Sequence, residues 1–495
     1  MGDHYQAGFF PKLFSMDDRV ALITGGHGEL AYAMAATLAM FENLMMVDEN
    51  GDVHPQLAAA PPRISADKLT YWFDLRDDVY FQNGQKLTAE DVKYSYEYIL
   101  DPKNKGARRT AWTPIKNIIV ESPKRVRFEM SHPYGSWILY MTKQMGIFPK
   151  GSREKFGDDY FRLTPIGVGT GPGIFVKWQQ NDYVEFRRNP HYWQKGLPHW
   201  DKLIVRVVPE DSVRVAYLLQ NQAQIISAPP PRDFRHLNTL KGIVGGTNPG
   251  LGAQLFMQLN TKKAPFDDVN FRKAIACAID RDLLATKVFY GLLEPSATPA
   301  PRNSYYYNND AGERVKYDKE KARSFLAKSK YASSPSFDML VPAVPYLFDV
   351  RDAAQVIQSE LAEIGITARL QFVEVAQVIN ENLNGTHTAS LFCNMTYGDP
   401  LWIPKVFYTA NQVMSKSSGY TSEAFSAAVE ESYRYNYNDK TGLKPVYQKA
   451  QSVLVDDSPG VFIGFVDAAN LWRQNVKNFK VDVGITIMVR NVDLA

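Results

Sequence analysis

Cysteine is nearly missing from this chain of 495 residues, which carries only Cys277 and Cys393. Two thiols in separate apolar stretches cannot build a disulfide framework or a multi-ligand zinc site, and they read as small buried hydrophobes. Long apolar runs are missing too, since no segment reaches the roughly 18 consecutive apolar residues of a membrane-spanning helix. Charge of one sign is scarce: the formal net charge is +3, with basic residues spread along the chain rather than gathered in blocks. Neither a nucleic acid nor an anionic membrane has an electrostatic footprint here. The eight histidines (His4, His27, His54, His132, His191, His199, His236 and His387) show no metal-ligand spacing, which speaks against a metal site. There is no G-x-S-x-G elbow, H-E-x-x-H, P-loop or Cys/His pair at a recognisable spacing, so catalysis has no positive signal and the chain does not read as an enzyme. The neighbouring acids Asp17-Asp18 and Asp77-Asp78 point apart and read as solvated. The opening stretch MGDHYQAGFFPKLF lacks the basic, apolar and small-residue regions of a secretory signal.

What is present begins with size. A chain this long supports two or more domains, and 45% hydrophobic with 22% charged residues is ordinary globular usage. Aromatic residues make up 13%, and tyrosine and tryptophan suit clefts where a ligand is stacked and hydrogen-bonded at once.

The clearest local reading lies between Leu69 and Pro102. Tyr71, Phe73 and Leu75 alternate with Thr70, Trp72 and Asp74 in the period of a half-buried strand, and Asn83-Gly84 suits a tight hairpin turn. A helix follows, with Thr88 as its cap, Asp91 in the capping-box position and Asp101-Pro102 as its stop. Farther on, Tyr183 to Arg187 and Leu203 to Val207 alternate as strands, and Asp211 to Gln224 reads as a helix. Phe271, Ala274, Ile275 and Ala278 mark one face of another helix. Arg351 to Ile364 reads as a helix before a strand from Ile366 to Val375, the pattern of an α/β lobe.

The segment Val20 to Asp48 imitates a dinucleotide-binding unit. A strand leads into Gly26-x-Gly28-x-x-Ala31, then a helix, then Leu44 to Val47 with Asp48 where a ribose-binding acid could sit. This leaves an NAD(P)-dependent oxidoreductase as the alternative function. The next segment, however, is an antiparallel hairpin rather than another crossover, so the motif stands without its fold.

Leu69, Thr70, Tyr71, Phe73, Leu75, Arg76, Val79, Phe81, Gly84, Leu87, Thr88, Ala89, Glu90, Asp91, Val92, Ser95 and Tyr96 together resemble the signature region of family 5 solute-binding proteins, the peptide- and nickel-binding receptors of ABC importers. The resemblance continues from about Phe41 to about Phe479: through Phe41-Glu42-Asn43-Leu44 and Pro55-Gln56-Leu57-Ala58, then Gly169-Thr170-Gly171-Pro172, Arg188-Asn189-Pro190-His191-Tyr192-Trp193, and Asn260 to Arg281. It implies a two-lobed α/β periplasmic-binding-protein fold, with an extra α+β subdomain on lobe 1 and the ligand cleft between the lobes. The expected division is 1–17 as an N-terminal extension or loop; 18–45, 168–253 and 473–495 as a discontinuous lobe 1; 46–167 as the accessory subdomain; and 254–472 as lobe 2. The chain crosses between lobes near Phe256 and near Asn470.

The resemblance also implies a site. Arg109 and Trp112 resemble an Arg-x-x-Trp that nickel receptors of the family place in their cleft, and Gly26 and His27 would lie near its floor. Asn394, Thr396 and Tyr397 would face them; Thr396 falls in the slot where peptide receptors carry an Asp for the ligand's amino terminus. A free ammonium enclosed there without a carboxylate would be an unpaired buried charge costing several kcal/mol, so peptides with a free amino terminus are disfavoured unless another acid takes over. The implied partners are a peptide-like, opine-like, saccharide or chelate ligand, together with permease and ATPase subunits. The chain is expected to be an extracytoplasmic monomer with no cofactor, its export signal absent from this form.

Overall fold

The computed structural model describes residues 20–25, 37–104, 109, 112–144, 146–180, 182–345, 348–396, 399–409, 412, 414–482 and 487–494. The strand read at Leu69 to Leu75 forms over Thr70–Asp74 (β5), with Tyr71 and Phe73 turned into the core and Asp74 out. It joins Arg63–Ile64 (β4), Arg125–Met130 (β7) and Ile115–Ser122 (β6) in a four-stranded antiparallel sheet of order β4-β5-β7-β6. The Asn83-Gly84 turn forms with Gly84 at φ +86°, closed by Phe81 N–H on Gln85 O at 2.8 Å, but the strands it joins amount to the single bridge Tyr80–Lys86.

The helix read after it spans Ala89–Leu100. Its buried Asp91 carboxylate accepts from the Thr88 N–H at 2.8 Å and the Thr88 hydroxyl at 2.7 Å, so the first turn is held from both ends of the capping box. The other Asp91 oxygen accepts Lys150 N–H at 2.8 Å and ties the helix to a loop 59 residues away.

The large sheet has eleven strands. One end holds Gly173–Gln179 (β8), Tyr183–Arg188 (β9), Lys202–Val207 (β10), Val20–Gly25 (β1) and Ile225–Ser227 (β11); the other holds Ala389–Met395 (β16), Ser336–Pro342 (β14) and Thr367–Val373 (β15). Between them run two long strands, Ile243–Leu259 (β12) and Gly460–Arg473 (β17), paired antiparallel, with Leu293–Pro295 (β13) added beside β17. Phe256 and Asn470 lie within these two strands. Their ladder is interrupted once in a way that matters for the site. Between the pairs Asn248–Ala468 and Ala253–Val466, residues 249–252 stand opposite Asp467 alone. Such a bulge bends the strand that carries it.

The dinucleotide-binding alternative fails in this topology. A βαβ unit would place Met45–Val47 (β2) parallel to β1, but β2 instead pairs antiparallel with Val53–Pro55 (β3), and the neighbours of β1 are β10 and β11. Gly26, Gly28 and Ala31 lie outside the described residues. Cys277 and Cys393 are both buried, and burial pushes both thiols up from their ordinary range, as inert core residues should show.

Candidate functional site

A cavity of about 420 Å³ opens where three parts of the chain meet. The loop Asn50–Val53 and Leu139 wall one side; the bulge Pro249–Leu251 of β12 and Phe465 of β17 form the floor. The opposite side comes from the loop 303–306, from Thr396, Asp399 and Pro400, and from the start of the helix Lys440–Asp457. Four tyrosines line it, Tyr305, Tyr306, Tyr437 and Tyr447, so flat rings and hydroxyls dominate the wall.

Asp399 anchors the far side and is 1% exposed. Its carboxylate meets Lys405 Nζ at 2.9 Å, the Tyr140 hydroxyl at 3.1 Å and the Leu401 N–H at 2.9 Å. Lys405 is as deeply buried, and its ammonium lies 5.4 Å from the Tyr433 ring and 5.6 Å from the Tyr447 ring. The pair is therefore enclosed by hydrogen bonds and aromatic faces, the condition under which a buried ion pair is tolerated. Burial, together with the Asp399 charge, holds the Tyr447 hydroxyl well above the ordinary tyrosine range and pushes Tyr306 up to about 12. Both phenols are neutral donors at physiological pH.

Tyr140 belongs to the helix Trp137–Gln144, on the opposite side of the cleft from Asp399. Around their contact the Tyr134 ring stands edge-on to Tyr433 at 4.7 Å, Tyr140 packs on Trp402 at 4.6 Å, and Gly135 N–H bonds Tyr433 O at 3.0 Å. The two sides are in contact across this seam.

The residues singled out from sequence divide. Thr396 lines the cavity, buried, with its carbonyl accepting the Asp399 N–H at 3.0 Å. Asn394 stands two residues earlier on β16, half-buried outside the cavity wall, its side-chain oxygen taken by Met395 N–H at 2.9 Å. Trp112 is completely buried in the subdomain core, edge-on to Tyr96 at 5.3 Å. Arg109 Nε donates to Leu100 O at 2.8 Å and satisfies a carbonyl at the end of the helix Ala89–Leu100. Gly26, His27 and Tyr397 lie outside the described residues. Sequence reading missed Tyr140, Tyr447, Asp52 and Lys440, and used Asp399 only as a landmark for counting back to Thr396.

Comparison with known proteins follows the same outline. Residues 52–415 match the family described as bacterial extracellular solute-binding proteins, family 5 Middle. The chain belongs to this family. Family 5 proteins bind solutes rather than transform them, which accords with a cleft built from tyrosines, amides and one buried ion pair. The chain is 27% identical over 465 residues to the probable di/tripeptide-binding protein 5 of Pseudomonas aeruginosa (strain UCBPP-PA14), covering 87% of this chain and 85% of that one. Among solved structures, the PBP AgaA from A. tumefaciens R10 in complex with agropinic acid superposes with a TM-score of 0.84 at 23% identity, covering 96% of this chain and 99% of that one. The periplasmic binding protein DppA from Helicobacter pylori in complex with peptide STSA gives 0.83 at 23% identity, with 96% and 98% covered. These two likenesses establish the two-lobed fold.

Family 5 motifs meet physically at Glu42. Its carboxylate, 1% exposed, accepts from the Tyr192 hydroxyl at 2.6 Å, Trp193 Nε1 at 2.8 Å, Thr170 at 3.0 Å and Gln56 Nε2 at 3.2 Å. Burial raises its pKa above the usual carboxylate value despite these four donors. Three other stretches of the sequence are thereby fastened to one side chain.

Proposed function

We propose that this family 5 protein is the receptor of an ABC importer and captures a peptide-like solute in the cavity between Asn50–Val53 and the helix Lys440–Asp457. The observation that carries the reading is the cavity's position: both sides of the cleft and both crossing strands contribute to one wall. A solute there touches both sides only when they are closed, so it stabilises closure by its differential affinity. The likeness to a di/tripeptide-binding protein supports a short peptide or peptide conjugate over other solutes. Thr396 and Tyr447 would hydrogen-bond it, while Asp399 and Lys405 hold the wall. The division into lobe 1 (18–45, 168–253, 473–495), subdomain (46–167) and lobe 2 (254–472) belongs to the same reading, as do an extracytoplasmic location, a monomeric state and delivery to permease and ATPase subunits. Among the described residues no helix is long and apolar enough to cross a membrane.

The test is native mass spectrometry of the purified chain, followed by calorimetric titration with di- and tripeptides. Micromolar or tighter binding of a short peptide is expected, and Tyr447→Phe should weaken it by about 1 kcal/mol, the worth of one net hydrogen bond. Saturable binding of a sugar or a metal chelate with no response to any peptide would overturn the peptide reading.

A further inference from the structure

The charged side chains lining the cavity, among the described residues, are Asp52, Asp399 and Lys440. Asp399 is already saturated by Lys405, Tyr140 and the Leu401 N–H. That leaves one acid and one base facing the space, one from each side of the cleft. They meet each other at 3.4 Å, with side chains 56% and 61% exposed, so their mutual attraction is screened and weak.

Both are placed as presenting groups rather than as structural ones. Asp52 sits on a turn in which the Asp48 carboxylate accepts both the Asn50 and Asp52 N–H at 2.9 Å, with Gly51 at φ +84°, so the loop that carries it is fixed. Lys440 is the first residue of the 18-residue helix Lys440–Asp457. A cation at a helix N-terminus is opposed by the helix dipole, and helix chemistry favours an acid there. A residue that breaks its local rule at the wall of a cavity is a candidate for a functional role.

Resting on the reading of this cavity as the solute site, we infer that Asp52 and Lys440 are the specificity-determining residues for a zwitterionic solute, Asp52 taking its ammonium and Lys440 its carboxylate. Paired with each other, each stands in for the solute's opposite charge. A zwitterion of matching span replaces one screened pair with two charge-assisted hydrogen bonds. A purely anionic or cationic solute breaks the pair and leaves one partner without a counter-charge, so it is selected against. Asp52 supplies the acid that the Thr396 position lacks.

The experiment titrates the wild-type chain, Lys440→Met and Asp52→Asn with a set of di- and tripeptides. Each peptide is made in four forms: free, N-acetylated, C-amidated and doubly blocked. The wild type should bind the free form best. Lys440→Met should weaken the free and N-acetylated forms about tenfold and leave the C-amides no weaker, while Asp52→Asn should weaken the free and C-amidated forms and leave the N-acetylated ones no weaker. Losses that ignore the blocking pattern, undiminished affinity in both variants, or a wild-type preference for the doubly blocked form would each overturn the inference alone. If no form of any peptide binds the wild type, the peptide reading itself falls and takes this assignment with it.

Discussion

At the scale of single residues, burial decides what a polar or aromatic side chain is for. Trp112 has the right chemistry to line a cleft, yet its indole is fully enclosed with Nε1 unpartnered, so its role is volume. Trp112→Ala should cost about 3–5 kcal/mol in chemical denaturation, with solute affinity of the folded protein retained. Asp467 shows the reverse case, a carboxylate left 5% exposed at the β12 bulge with Gly250 N–H at 3.1 Å as its donor. Burial, and secondarily the Glu294 charge, pushes it up to about 6 from 3.8. Between those values the folded chain holds the proton more tightly than the unfolded one, so Asp467 favours folding at acid pH and opposes it as pH rises through 6. Asp467→Asn keeps an acceptor for Gly250, and denaturation from pH 4 to 8 should show that slope removed and stability at pH 8 raised by on the order of 2 kcal/mol. Thr396 was legible because it lies at a fixed count from Asp399-Pro400. The packing of Arg109 and Trp112 was not, because contacts with the helix Ala89–Leu100 at Leu100 and Tyr96 set it, and four residues of sequence do not encode them.

Elements show how far local rules reach. The helix Ala89–Leu100, its Thr88 and Asp91 cap and its stop at Asp101 were readable because every determinant lies within four residues of the event it controls. The seam between the two sides was not, since Tyr134, Tyr140, Asp399 and Tyr433 come together over nearly 300 residues. Gly135 is the tightest point of that seam. A Cβ there would lie 1.7 Å from Tyr435 O, a backbone atom with no rotamer to yield. Gly135→Ala should therefore keep each side folded but hold the cleft ajar. The expected outcome is an unchanged circular dichroism spectrum, at least a tenfold loss of solute affinity, and a radius of gyration by X-ray scattering that no longer contracts when solute is added.

For the whole molecule, the class of fold was legible from the alternation of strand and helix patterns and from family motifs, whereas sheet order was not. β1 lies between β10 and β11, whose partners in sequence are about 200 residues away, and no local pattern states such pairings. Solute binding acts on this whole by mass action: at about 100 times its dissociation constant it should stabilise the closed chain by about 2.7 kcal/mol, read as a rise in melting temperature.

The bulge at residues 249–252 is both the floor of the cavity and the place where the strands linking the two halves lose their ladder. A body that swings about a line moves least on that line. If the proposed closure turns about this bulge, contacts a solute makes with Pro249 to Leu251 would be nearly the same before and after it, and they would hold the solute without telling the protein to shut. In the proposed closure, the groups that report its presence would be those that meet only across the cleft, as Asp52 and Lys440 do.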